Sequence, residues 1–277
     1  MPGLRAWIRS VGLTAPAHGH DPYRQRRGEP RGFALAWTAF LIVSTGACFF
    51  IYGAQHGLSP VGYRSAVKVL AGMMGVGVGV LWPLFRLSQA PANVGGGGVV
   101  ARDVVILSLP MQAVLWPQAL VAGWSVEVIG AVALSLTLWA ALAGGLVAMA
   151  IGPGGQPRSR TAVPLEEAPA AAGVARNAIG RSIAMGLLCI GVILGVLSWW
   201  AEPSPLAGAA SPAFWGRMLS PVTAPLELCR DRVWSGQAMV IESNHWRAVL
   251  LTAVLAALSW VLAAVTGLSS STARVSG

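Results

Sequence analysis

Charge is what this chain has least of. Only 10% of its 277 residues are Asp, Glu, Lys or Arg, where soluble domains carry about 25%. That leaves too little polar surface to cover a water-soluble globule of this size. With 55% hydrophobic residues and a mean hydropathy of +0.64, the composition excludes an ordinary soluble domain. Cysteine is also scarce. Three residues, Cys48, Cys189 and Cys229, cannot build a disulfide framework. The first two fall in apolar runs and read as small hydrophobes, and the loop of Cys229 holds no second cysteine.

Catalytic motifs are missing as well. There is no His-Glu-x-x-His and no phosphate-binding Gly-rich loop, and no Gly-x-Ser-x-Gly elbow. Ser, Thr and His within the apolar runs form no nucleophile–base set. No enzyme activity, cofactor or metal is therefore expected. His18 with His20, and His56 with His245, lack the Cys or carboxylate companions of a metal site, and read as solvated surface histidines. Arg5 and Arg9 precede a segment too short and polar for a signal-peptide core. The first long apolar run, from near Phe33, is expected to stay as an anchor.

The formal charge is +9 and the pI about 10.9. No basic stretch is interleaved with stacking aromatics, so nucleic acid is not an expected partner. The excess reads instead as an orientation signal, because Arg collects in cytoplasmic loops.

What the chain has in abundance is long apolar runs. A helix rises about 1.5 Å per residue, so crossing about 30 Å of hydrocarbon takes roughly 20 residues. Six runs meet that test: 33–53, 66–85, 104–122, 126–151, 179–200 and 247–267. Lys68, Arg86, Arg102, Asp103, Glu127, Arg181 and Arg247 fall at or near run ends, where long side chains reach the interface. The expected fold is all-α: a polytopic transmembrane bundle of about six spans over 33–267, with short amphipathic helices in the loop before the last span. A basic segment, 1–32, precedes it and a tail, 268–277, follows.

Orientation follows from the basic residues. With the first end inside, the inner segments hold 13 of the 19 Lys and Arg, and the outer segments hold 6. Both ends are therefore expected on the cytoplasmic side. Arg24, Arg26, Arg27 and Arg31, just before the first run, should also attract anionic headgroups, at about 1 kcal/mol per basic residue. The 18-to-1 preference for Arg over Lys, with abundant Ala and Gly, fits a GC-rich bacterial source, where the membrane is the inner (plasma) membrane. Trp82 near an inner end, and Trp124, Trp199, Trp200 and Trp246 near outer ends, fit interfacial belts. Trp116, Trp139 and Trp260 sit mid-run and should pack between helices.

Two inner links, 89–101 with four consecutive glycines and 152–175 rich in Pro, Gly and Ala, read as flexible. Three features point toward function. The third run carries Pro110 and Pro117 on one face, with Gln112 and Gln118. Such residues occur in the broken helices of transport sites, and Gln also bonds between helices. Its short connection to the fourth run, through Gly123, predicts a tight hairpin. Ala71, Gly75 and Gly79, then Ala140, Gly144 and Ala148, then Gly191 and Gly195, recur at four-residue spacing and let helices approach closely. Finally, the outer loop 201–246, with Trp215, Leu219, Leu226, Val233 and Trp234, predicts amphipathic helices lying on the outer membrane face. That loop reads equally as a structural cap or a functional gate.

This layout, six spans with both ends inside and a long outer segment before the last, resembles the membrane subunit of an ABC-type exporter. The resemblance implies a transporter or permease subunit whose partners are the lipid bilayer, a separate cytoplasmic ATPase and other membrane subunits. The Gly-rich link 89–101 departs from the pattern, since the family docks its ATPase through a helical segment there. The alternative is a non-catalytic membrane scaffold or assembly protein.

Overall fold

A computed structural model describes residues 30–56, 60–88, 96–151, 168–201, 211–230 and 241–272. Among them the regular elements are all helical: α1 (Pro30–His56), α2 (Pro60–Val76), a π-helical turn (Gly77–Leu81), α3 (Trp82–Ser88), α4 (Gly96–Leu115), α5 (Gln118–Ala122), α6 (Val126–Ile151), α7 (Ala168–Trp200), α8 (Pro212–Met218), α9 (Thr223–Leu228) and α10 (Ser243–Thr272). Six stretches are long and apolar enough to cross a membrane: Gly32–Tyr52, Tyr63–Ser88, Gly97–Ala122, Val126–Ile151, Ala178–Trp200 and Ser243–Thr266. The expected basic segment lies almost wholly outside the described residues, as do His18, His20 and the centres of both inner links.

The spans are not equivalent. The second and fourth are buried over 61% and 56% of their apolar windows, against 17–28% for the other four. The fourth is the axis of the bundle. Its glycines admit neighbours that a side chain would exclude. A Cβ at Gly145 would collide with Ser259 of the sixth span, and one at Gly144 would meet Val104, Trp260 and Trp82. Trp260 donates to the Ala141 carbonyl at 2.8 Å, and Trp37 of the first span donates to the Leu107 carbonyl at 2.9 Å. Each of these two indoles satisfies its one donor on the backbone of a neighbouring helix. Trp82 and Trp124 were expected at the membrane edge and are instead buried. Gly144 of the fourth span lies against the Trp82 ring. Trp116 differs the other way, being partly exposed on the outside of the bundle.

The N-terminal face, where the first span begins, is tied by charge. Arg86 pairs with Asp103 at 3.1 Å, both nearly buried, and Arg181 donates to the Leu87 carbonyl at 3.2 Å. The helix α4 starts at Gly96, well before the run boundary at 104, and the pairing lets Asp103 lie buried within it. An aspartate with an Arg partner is tolerated inside the helix, where an unpaired one is costly. Likewise α7 starts at Ala168, inside the link expected to be flexible, because Ala favours the helix.

On the opposite face the third and fourth spans form the expected tight hairpin. Gly123 takes φ +61°, a left-handed conformation that ends a helix at little cost only for glycine. Trp124 then bonds back to the Ala119 carbonyl at 3.1 Å, and Ser125 caps α6 by accepting from the Val128 N–H at 3.3 Å. Arg64 of the second span donates to the Ala122 carbonyl at 2.9 Å. The sixth span starts on the same face. The Glu242 N–H donates to Nδ1 of His245 at 3.0 Å, and His245 is buried. The expectation of a solvated surface histidine fails there, because the ring caps a helix start.

Candidate functional site

The segment between the fifth and sixth spans departs most from expectation. Its described part, residues 211–230, is helical, but α8 and α9 pack into the bundle, with Phe214, Met218, Ala224 and Leu228 buried, rather than lying along its outside. They form a helix–turn–helix hairpin that enters the bundle from the opposite face.

Local chemistry builds the hairpin. Ser211 caps α8 by accepting from the Phe214 N–H at 3.1 Å, with Pro212 at the first helical position. Phe214 is buried and meets the His245 ring edge-on at 5.2 Å, which anchors the entry to the sixth span. The Leu219 N–H bonds to the Trp215 carbonyl and closes α8. Residues Ser220 to Val222 turn the chain, and Thr223 starts the return arm. Thr223 Oγ1 donates to the Arg217 carbonyl at 2.7 Å across the turn. Arg217 Nε then meets Glu227 Oε2 at 2.8 Å, with both side chains nearly buried. Arg230 reaches the other carboxylate oxygen at 3.5 Å. Arg217 and Arg230 both lie over the ring of Trp199, at 5.9 and 6.0 Å. A buried carboxylate with two cationic partners keeps its charge compensated, which a lone buried charge could not.

Depth is what makes this segment unusual. A Cβ at Gly75 would run into the Pro221 carbonyl, and one at Gly79 into the Pro221 ring. Gly75 stands 12 residues along the second span from Tyr63, which is about 18 Å of helix. The tip of the hairpin therefore lies beside the middle of that span. On the fifth span a Cβ at Gly195 would strike Ser220 and Thr223, and on the hairpin itself one at Gly216 would strike Ser198. Non-helical backbone at membrane depth is tolerated only where protein or a water-lined cavity surrounds it. Here Ser220, Pro221 and Thr223 are buried. The Ser220 hydroxyl has no hydrogen-bond partner among the described residues.

The structure thus gives Gly75 and Gly79 a specific neighbour. Their small-residue stripe receives the hairpin tip rather than another long helix. The third-span residues sit elsewhere. Gln112 donates to Thr137 Oγ1 at 2.8 Å and to the Ala133 carbonyl at 3.2 Å, and accepts from Trp116 at 2.9 Å. It ties the third span to the fourth. Gln118 is buried and donates back to the Val114 carbonyl at 2.9 Å. The helix runs through Pro110 and breaks at Pro117. Sequence reasoning did not single out Arg217, Ser220, Pro221, Thr223 or Glu227. A usable signal was present: between Pro212 and Cys229 the only charges are one Arg and one Glu, ten residues apart. Short apolar stretches of this kind suit a re-entrant segment.

Compared with known family models, curated proteins and solved structures, the chain matches none. The class is defined by the fold alone: a multi-pass helical membrane protein, with six helices among the described residues long and apolar enough to cross a membrane.

Proposed function

We propose that this protein is the membrane subunit of a transport system. The observation that carries this reading is the hairpin Ser211–Arg230, whose broken backbone reaches the middle of the second span at Gly75 and Gly79. Discontinuous helices held at membrane depth by protein are a recurring element of transport sites. A scaffold needs no such element. The Arg excess on the inner segments supports an orientation with both ends cytoplasmic, in a plasma membrane, with the hairpin entering from outside. No nucleotide-binding motif occurs in the sequence, so an energy source would be a separate ATPase chain.

Purification of the full chain from its native membrane in mild detergent tests this. A co-purifying ATPase in fixed stoichiometry is expected. Its consistent absence from well-folded protein would sink the subunit reading and favour the scaffold. The orientation is tested separately by Ser159→Cys, which should react with an impermeant maleimide only from the cytoplasmic side.

A further inference from the structure

Four observations about the hairpin converge. First, its ion pairs close internally, while Arg217 and Arg230 also lie over Trp199 of the fifth span. The Arg217–Glu227 pair, the Glu227–Arg230 pair and the Thr223 bond to the Arg217 carbonyl all lie within residues 211–230. The hairpin can therefore move as one body without separating a buried ion pair. Second, the tip of the hairpin is bedded on glycine. Gly75 and Gly79 on the second span and Gly195 on the fifth meet it with backbone alone, and Gly72 faces the end of Leu226 at 3.6 Å. Phe214, Met218 and Leu228 on its two arms are buried in the common core, so it leaves by exposing apolar surface rather than by breaking an ion pair. The hydrogen bond from Arg217 to the Ser198 carbonyl on the fifth span is long, at 3.4 Å.

Third, the second span changes to π-helix at Gly77–Leu81, a stretch that includes the Pro221 contact at Gly79. A π-turn is a place where a helix bends, and such turns are frequent at functional sites. Fourth, Ser220 at the tip is fully buried with its hydroxyl unpaired. A buried hydroxyl without a partner is unfavourable. Withdrawal into water would satisfy it, which offsets part of the cost of exposing apolar surface as the hairpin opens.

We propose that the hairpin Ser211–Arg230 is the gate of the transport path. It withdraws as a unit toward the face from which it enters, and the vacated cleft walled by Gly72, Gly75, Gly79 and Gly195 is the path through that half of the membrane. The inference rests on the transport reading for its purpose, but its test requires no substrate and no partner chain.

The test uses the full chain in sealed vesicles, with Cys48, Cys189 and Cys229 replaced by alanine. Gly72→Cys is the reporter, since a Cβ there fits. Gly79→Cys with Pro221→Cys forms a lock: the Gly79 and Pro221 Cβ positions are 3.1 Å apart, slightly inside the usual disulfide range, and removing the proline ring clears the space. With reductant, an impermeant maleimide added on the hairpin's face should label Gly72→Cys. With the lock oxidised, labelling should slow at least about tenfold. No labelling in reductant, equal rates in both states, or labelling only from the other face would each overturn the gate. The unmodified chain gives a second measurement, independent of whether the variants fold. Amides of residues 212–228 should exchange with deuterium at least about tenfold faster than those of Val126–Ile151. Equal protection would make the hairpin a fixed part of the bundle and overturn the proposal, while the co-purification test of the subunit reading would stand unaffected.

Discussion

The third span and the hairpin Ser211–Arg230 are both helices interrupted by proline, and they handle the interruption in opposite ways. The third span keeps its break at Pro117 near the end of the membrane-crossing stretch, where α5 continues for five residues before Gly123. Its polar side chains are spent on neighbours, as Gln112 shows with Thr137, Ala133 and Trp116. The hairpin places its break, Leu219 to Val222, beside the middle of the second span, and closes its ion pairs within itself, with one long bond from Arg217 to the fifth span. The first arrangement stitches two spans together. The second makes a compact body seated on glycine. Polar residues at membrane depth therefore do not mark a pathway by themselves. What separates the two cases is whether their hydrogen bonds cross between helices or close within one unit.

Substitutions can break or sharpen that contrast. The largest effect is expected from Glu227→Gln, which leaves Arg217 buried without its counter-charge. Breaking a buried pair from one side costs about 3–5 kcal/mol, so thermal unfolding in detergent should shift strongly downward. A loss under about 1 kcal/mol would mean that Arg217 is reached by water, and that the hairpin is less enclosed than its packing implies. Gly75→Ala comes next. Its methyl meets the Pro221 carbonyl, and overpacking of that kind costs about 1–3 kcal/mol. Gln112→Leu is expected to be milder, at about 0.6–1.7 kcal/mol, the range of interhelical side-chain bonds in membranes. A double-mutant cycle with Thr137→Val checks it, and additivity of the two would show that the bond is not formed. The smallest effect is expected for Gly72→Ala, within about 0.5 kcal/mol, because the added Cβ meets only the flexible end of Leu226. If Gly72→Ala and Gly75→Ala cost the same, the hairpin tip is not seated where the contrast requires.

Much of the architecture was legible in the residues. The six spans follow from run length. The tight turn between the third and fourth follows from Gly123 between two apolar runs. Small-residue spacing marked Gly75, Gly79, Gly144 and Gly195 as places of close approach. Spacing alone does not say what approaches. Gly144 faces tryptophans and Val104, Gly145 faces the sixth span, and Gly75 faces the turn of a loop. The amphipathic pattern of 201–246 was visible too, and it suggested helices on the outer face because Trp215, Leu219, Leu226, Val233 and Trp234 stand among Pro, Arg and Glu. The reading missed that Arg217 and Glu227 lie on opposing arms and cancel each other. Once paired, they let the segment leave the interface for the interior.

The sequence by itself determined that this chain crosses a membrane and roughly where, because transfer into hydrocarbon is a sum over residues and is decided by the length of apolar runs. The tertiary structure decided which spans form the centre, which polar groups are neutralised, and that a hairpin from a loop packs against the middle of the second span. Those outcomes depend on pairs distant in the chain, Pro221 with Gly75 and Gly79, Ser220 with Gly195, and Arg86 with Asp103. Close packing and charge pairing are properties of two surfaces brought together, and neither surface carries them alone.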